Sequence, residues 1–308
     1  MLSIIIVSWN VETLLAACLH SIEAHKGCLE VEVIVVDSAS RDGTVAMVSA
    51  EFPDVRLFPQ TENVGFPRGN NIGLAHAQGD YLLLLNPDTE IVGDALQTMC
   101  DYLAQNPHVG MIGPELLNSD GSHQSSRRRF PTLWTGIFES TWLQPYAPKR
   151  VLRDYYMEER ADDVRVSADW VNGACMLTTR AVYERVGGMD AGYFMYSEEL
   201  DWCRRIKDAG YDIIYLPTAR VLHHQGKSSE QAVTHRHINF NRSKLRYFRK
   251  FHGRGAYTIL RVVLLLTYIH QIGVEGIKYL LGHRRELRRQ RIRSYRDVLN
   301  SKLTAADY

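Results

Sequence analysis

The ten residues Tyr81 to Glu90, YLLLLNPDTE, limit the fold more than any other stretch of the chain. Five apolar side chains in a row leave no polar face. The run therefore reads as a strand covered on both sides, as in the middle of a parallel sheet. Asn86-Pro87-Asp88 stops it, because Pro87 has no N–H to give to a ladder. Asp88 is thereby presented just past the carboxyl end of a central strand, the rim at which open α/β sheets bind ligands. A carboxylate in that place has two uses. It caps a following helix, for which Asp is favoured, or it holds a cation that in turn holds a phosphate.

The segments before it alternate strand and helix. Ser3 to Trp9 is apolar and β-rich, and Leu14, Leu15, Cys18, Leu19 and Ile22 follow at helical spacing. Val31 to Val36 is a second buried strand ending at Asp37, and SASRDGT turns into a helix reaching about Glu51. Val55 to Phe58 is a third strand, and the turn-rich ENVGFPRGNN leads into a short helix ending near Gln78. This β-α-β-α-β-α-β order predicts a doubly wound parallel sheet. With 308 residues and 45% hydrophobic content, the chain is large enough for one big core or two fused lobes. The N-terminus lacks a basic segment before its apolar run, so it reads as a strand and not as a secretion signal. Five cysteines without metal-like spacing suit a reducing compartment.

No Gly-x-Gly-x-x-Gly follows the first strand, so a dinucleotide site is not indicated. The rim carries acids instead: Asp37 after the second strand and Asp88 after the fourth. Asp37 suits a base N–H or a ribose hydroxyl, or else an Asx-type turn with Ser38 to Ser40.

Beyond Asp88 the pattern predicts a helix from Gly93 to about Gln105, a strand at Val109 to Ile112, a strand over Val166 to Thr178 and a helix over Ala181 to Val186. Arg127-Arg128-Arg129 is read as an anion contact or a solvated loop. In Ser197-Glu198-Glu199-Leu200-Asp201, Ser197 is a good N-cap and the three acids suit the first turn of a helix. Residues three apart share a side, so Glu198 and Asp201 face one way and Glu199 another. One of the three is a candidate general base. Tyr211 to Leu216 and Ala219 to Leu222 read as two strands. The second ends in His223-His224, where one histidine is a candidate metal ligand. Gly226 to Ser228 is a candidate phosphate turn, although a P-loop is excluded because Val221 stands where its first Gly is required.

Charge is unevenly spread. Residues 235–308 hold 17 of the 36 Lys and Arg but only 4 of the 35 acids. An acidic body with a basic end suits an anionic membrane surface met by about residues 241–296, and it argues against an extended nucleic-acid track. The apolar run Val262 to Tyr268, flanked by Arg261 and His270, is too short to span a bilayer. It reads as part of an interfacial helix or of a homodimer contact.

Five blocks stand in a familiar order: VSWN; VVDSASRDGT; ENVGFPRGNNIGLAHAQGDYLLLLNPDTEI; VNGACMLTTRAVYERVGGMDAGYFMYSEELDWCRRIKDAGY; and VLHHQGKSS. Over about residues 1 to 250 the chain resembles family 2 glycosyltransferases of the GT-A fold, and among them the bacterial rhamnosyltransferase-like members of surface-polysaccharide synthesis. The resemblance implies an α/β fold of GT-A type with a doubly wound, mostly parallel sheet. Residues 1–120 would be its donor half, 121–234 its acceptor-binding and catalytic half, and 235–308 a basic helical extension. It also implies a donor site of Ser8, Glu12, Asp37, Asn63, Gly65, Arg68, Asn70 and Asn86. Asn86-Pro87-Asp88 replaces an Asp-x-Asp signature, so Asp88, with His223, would hold Mg2+ or Mn2+. Glu199 falls at the catalytic base, with Glu198 and Asp201 as alternatives. The implied partners are a nucleotide-diphospho-sugar, with dTDP-rhamnose favoured, and a glycan or polyprenyl-linked acceptor. The implied location is cytoplasmic, at the inner face of the bacterial cell membrane.

Overall fold

The computed structural model describes residues 1–224 and 233–304. In chain order the elements are β1 (Leu2–Ser8), α1 (Glu12–His25), β2 (Val31–Asp37), α2 (Thr44–Glu51), β3 (Arg56–Pro59), α3 (Phe66–His76), β4 (Tyr81–Leu85), β5 (Thr89–Val92), α4 (Ala95–Gln105), β6 (Val109–Leu117), β7 (His123–Gln124), β8 (Arg127–Arg128), α5 (Leu133–Phe138) and α6 (Lys149–Tyr156). They continue with β9 (Val166–Ala168), β10 (Trp170–Val171), β11 (Cys175–Thr179), α7 (Arg180–Val186), α8 (Glu198–Asp208), β12 (Asp212–His223), α9 (Val233–Phe251), α10 (Gly253–Leu280) and α11 (Arg285–Asn300).

They form two compact units. The first, residues 1–130, 156–191 and 198–228, is built on a sheet of strand order β3-β2-β1-β4-β11-β6-β12-β5. β1 pairs in parallel with β2 and β4, β2 with β3, and β6 with β12. β11 is antiparallel to β4 and β6, and β5 is antiparallel to β12. The sheet is therefore mostly parallel, as expected of an α/β fold, with two antiparallel insertions in place of an unbroken parallel series. Side chains alternate between two cores, as the strand period of two requires. Ile4, Ile6, Leu83 and Leu85 pack on one face with α1 and α4. Ile5, Leu82 and Leu84 pack on the other with Trp202 and Ile206 of α8.

Three local expectations change. The residues after Asp88 enter strand β5 before any helix begins, so Asp88 caps no helix. The segment 166–178 is broken into β9, β10 and the start of β11. The two strands expected near residues 211–222 are one, β12, with a register shift between Leu216 and Arg220. In each case the pairing partner is remote in sequence, so no local pattern records it.

The second unit comprises residues 131–155, 192–197 and 229–308. Segment 131–155, which the sequence reading assigns to the acceptor half, packs within this helical unit. A Cβ on Gly136 would stand 2.7 Å from the Phe248 ring, so only glycine allows that approach. Lys244 also pairs with Glu139 at 2.9 Å. α10 corrects the expectation of a short apolar run. It is one 28-residue helix, long and apolar enough by length and composition to cross a membrane.

Candidate active site

β1 and β2 end side by side, with Ser8 opposite Asp37. Both residues are buried, as is Ser38. Asp37 Oδ2 accepts from the Ser40 N–H at 2.9 Å, so the Asx-type turn is present, but it uses only one carboxylate oxygen. Asp37 Oδ1, Ser8 Oγ and Ser38 Oγ are buried without a partner. Buried polar atoms are nearly always paired. Three unmatched oxygens at one strand end are therefore a strong sign that something else completes them.

The neighbouring loops are stitched together around this point. The Arg41 N–H donates to Asn10 Oδ1 at 2.7 Å, and the Gly43 N–H donates to Glu12 Oε2 at 3.1 Å. Glu12 is thus engaged in holding the loop after β2. Gly65 has φ 77°, a left-handed conformation natural to glycine, and its N–H donates to Asn63 Oδ1 at 3.0 Å. Asn70 is buried and donates from Nδ2 to Phe66 O, closing the first turn of α3, whereas Arg68 is exposed. A Cβ on Gly69 would come within 2.8 Å of Val7, so α3 lies directly on β1 and its first turn reaches the β1 rim.

Asp88 meets His223 because β5 leaves the end of β4 and pairs with β12 at the edge of the sheet, setting Thr89 opposite His223. The His224 N–H donates to Asp88 O at 2.9 Å. Asp88 Oδ1 lies 3.4 Å from His223 Nε2, and both residues are buried. Gln124 fixes the imidazole. Its Nε2 donates to Asn118 Oδ1 at 2.9 Å, which turns its Oε1 toward His223 Nδ1 at 2.7 Å. With Nδ1 carrying the proton, Nε2 presents a lone pair toward a carboxylate oxygen. Two acceptors then face each other in a buried space, which is how a cation site is laid out. His224 is otherwise engaged, with Glu90 Oε1 at 2.6 Å and Ser119 Oγ at 2.7 Å. Gly226 to Ser228 lie outside the described residues.

α8 separates its acids as the helical spacing requires. Asp201 is fully buried and pairs with Arg205 at 2.8 Å, and that guanidinium also donates to Val186 O and Gly188 O. Its role is to fasten the turn before α8. Glu198 is buried, and burial followed by the charge of Glu199 pushes its carboxyl well above the usual range. Glu199 lies on a different face, partly exposed, and Gly173 packs against it; a Cβ there would be 3.4 Å from that of Glu199. The adjoining Ala174 O accepts from the Asn86 N–H at 2.9 Å. Glu199 and the Asn86-Pro87-Asp88 corner are thus joined through a two-residue step of one short loop. Ser197 is not an extended N-cap: Tyr196 and Ser197 have φ 72° and 63°.

The arginine run is structural. Arg127 is buried, donates to Arg160 O at 2.6 Å and lies over Tyr215, while Arg128 lies over Tyr156 and Trp170. Gln124 is the site residue that the sequence reading passed over. In SHQSS it is one polar residue among several, and only its place across from His223 distinguishes it.

The sequence profile described as Glycosyl transferase family 2 matches residues 3–203. The chain is 31% identical over 210 residues to the N-acetylglucosaminyl-diphospho-decaprenol L-rhamnosyltransferase of Mycobacterium tuberculosis, covering 65% of this chain and 68% of that protein. It is 32% identical over 170 residues to the rhamnosyltransferase WbbL of Escherichia coli, covering 52% and 61%. Among solved structures, the mannosyltransferase PcManGT of Pyrobaculum calidifontis, in complex with GDP-Man and Mn2+, aligns with TM-score 0.58 and 19% identity over 97% of this chain and 74% of that one. GalNAc-T7 with UDP, GalNAc and Mn2+ aligns with TM-score 0.60 and 15% identity over 81% and 47%.

Proposed function

The chain belongs to glycosyl transferase family 2, with the GT-A fold, and from that premise we propose that it is a divalent-metal-dependent, inverting glycosyltransferase. Its donor is a nucleotide-diphospho-sugar and its acceptor a glycan carried on a polyprenyl lipid. L-rhamnose from dTDP-rhamnose is the favoured sugar, since two relatives are named rhamnosyltransferases. The lipid carrier follows the decaprenol in one of those names. Such an acceptor puts the enzyme at the inner face of the cell membrane, on its cytoplasmic side.

The observation that carries this reading is the opposed pair Asp88 and His223, held by Gln124. Among the described residues no three His, Cys, Asp or Glu side chains form a self-sufficient metal cage. Asp88 and His223 would therefore hold Mg2+ or Mn2+ together with phosphate oxygens, as ions that keep substrate and water ligands require. When bound, the metal supplies positive charge against the leaving diphosphate.

The chain's own residues do the rest. The unmatched oxygens of Ser8, Asp37 and Ser38 are suited to the donors of a base and ribose. Asn63, Gly65, Arg68 and Asn70 shape the loop over the nucleotide, Glu12 holds the adjoining loop in place, and Asn86 turns the chain toward Asp88. Glu199 takes the acceptor hydroxyl proton as that oxygen bonds to C1. The C1–O bond breaks, and its electron pair leaves with the nucleoside diphosphate. Attack from the face opposite the leaving group inverts the anomeric centre. Glu198 is buried, and burial raises its carboxyl above the usual range, so the more exposed Glu199 is the better placed base.

The test is turnover of dTDP-rhamnose by the purified full chain on a polyprenyl-diphosphate-linked sugar, with Mn2+ or Mg2+ added after chelation. Mass spectrometry should find the acceptor heavier by one deoxyhexose. Activity that survives thorough chelation would remove the metal. Donor binding with neither transfer nor hydrolysis, across a panel of nucleotide-sugars, would leave only a binding module.

A further inference from the structure

The second unit has an apolar surface that its own fold leaves uncovered. On α10, Leu260, Leu264, Thr267, Tyr268 and Glu275 are buried. The opposite face carries Ile259, Val262, Leu266, Ile269, Ile277 and Leu280, all about half exposed or more. Their spacing keeps them on one stripe, about 32 Å long at the helical rise. Beside the stripe stand aromatic groups of the same unit. Trp142 stacks on His270 at 4.5 Å, and Trp134 and Tyr146 are 63% and 74% exposed.

α11 decides how this surface is used. It runs antiparallel along α10, fixed by Arg288 to Glu275 at 2.8 Å, by the Tyr268–Tyr295 ring contact and by Arg261 Nε donating to Lys302 O. Its exposed side carries Arg285, Arg289, Arg293 and Arg296. A spanning α10 would draw those guanidiniums into hydrocarbon alongside it, which the bilayer core does not accept. An in-plane helix avoids this conflict. The stripe enters the acyl boundary, the aromatics sit at headgroup depth, and the arginines meet lipid phosphates.

We propose that α10 is a monotopic, in-plane membrane helix, inserting the Ile259–Leu280 stripe into one anionic leaflet with the α11 arginines as its charged flank. This rests on the membrane-side reading above and adds the face, the depth and the lipid charge. The occupant is an anionic bilayer rather than a second copy of the chain, because α11, packed along α10, exposes Arg285, Arg289, Arg293 and Arg296, a cationic side that suits lipid phosphates and offers nothing complementary to its own copy.

The full chain should co-sediment with phosphatidylglycerol/phosphatidylethanolamine vesicles and much less with phosphatidylcholine. Brominated lipids should quench Trp134 and Trp142 most when the bromines are shallow. Leu266→Glu with Ile269→Glu should lower partition about a hundredfold, with the thermal melt unchanged because both side chains are exposed. Arg289→Gln with Arg293→Gln should remove the preference for anionic lipid while keeping weak partition. A dimer in solution that the double Glu variant dissociates, without vesicle binding, would overturn the proposal. So would protease cleavage of one flank of α10 only from inside sealed vesicles. Sugar transfer or donor hydrolysis across the nucleotide-sugar panel, measured on the same variants, keeps the two readings apart. If both are absent in the wild type while vesicle binding persists, the catalytic reading fails and the membrane face stands.

Discussion

The two units leave opposite needs unmet. The sheet unit buries its apolar residues on both faces but leaves polar atoms unpaired at one rim: Ser8 Oγ, Asp37 Oδ1 and Ser38 Oγ. The helical unit joins Lys244 to Glu139 and Arg288 to Glu275 in its interior, but leaves an apolar stripe bare on α10. An unmatched buried oxygen is completed by a small polar ligand, whereas a bare apolar stripe is completed by lipid or another chain. On the function proposed above, chemistry falls to the first unit and attachment to the second.

Substitutions at the rim should therefore damage turnover and spare vesicle binding. Asp88→Ala has the largest expected effect, about 10⁴-fold in kcat/KM, because the charge facing the leaving diphosphate loses its anchor. Added Mn2+ should restore little, and steady-state kinetics checks both points. Glu199→Gln should lower kcat about 10³-fold with donor KM nearly unchanged. A comparable fall for Asp201→Asn with the thermal melt intact would move the base from Glu199 to Asp201. Gln124→Ala should weaken metal affinity about 10- to 100-fold, read as a shift of the Mn2+ activation curve, since the His223 ring loses the bond that orients it. Asp37→Ala should raise donor KM about tenfold and leave kcat within a few-fold.

The smallest effect concerns stability. The folded Glu198 carboxyl binds its proton more tightly than the unfolded one, whose ordinary value is 4.5. Stability from this group is therefore lost as pH rises above 4.5, because the unfolded chain releases a proton that the folded chain keeps. Glu198→Gln should raise Tm by a few degrees at neutral pH and flatten its fall as pH rises above 4.5. A lower Tm at pH 7 would mean that Glu198 is ionised in the fold.

Much of the sheet unit was legible because its signals are local. The unbroken run Tyr81–Leu85, the stop at Pro87 and the acids at strand ends belong to short stretches, and β1 to β4 form where the pattern predicts them. The face separation on α8 was legible for the same reason, since helical spacing alone puts Glu198 and Asp201 on one side and Glu199 on another; that the first side is the buried one came from the fold. β5 was not legible. Thr89–Val92 is four residues long, and its partner β12 lies far along the chain. The same remoteness hid the continuity of β12, the structural use of Arg127 and the placement of segment 131–155.

By itself the sequence determined an α/β sheet with parallel strands, acids at its carboxyl rim and a basic helical end, because strand and helix periods and turn residues act over a few neighbours. The tertiary structure alone decided that Thr89 pairs with His223, that Gln124 turns the imidazole toward Asp88, and that an arginine helix lies along α10. Each of these is a meeting of side chains far apart in the chain. Such a meeting depends on loop closure and on which surfaces bury one another, and neither is written in local spacing.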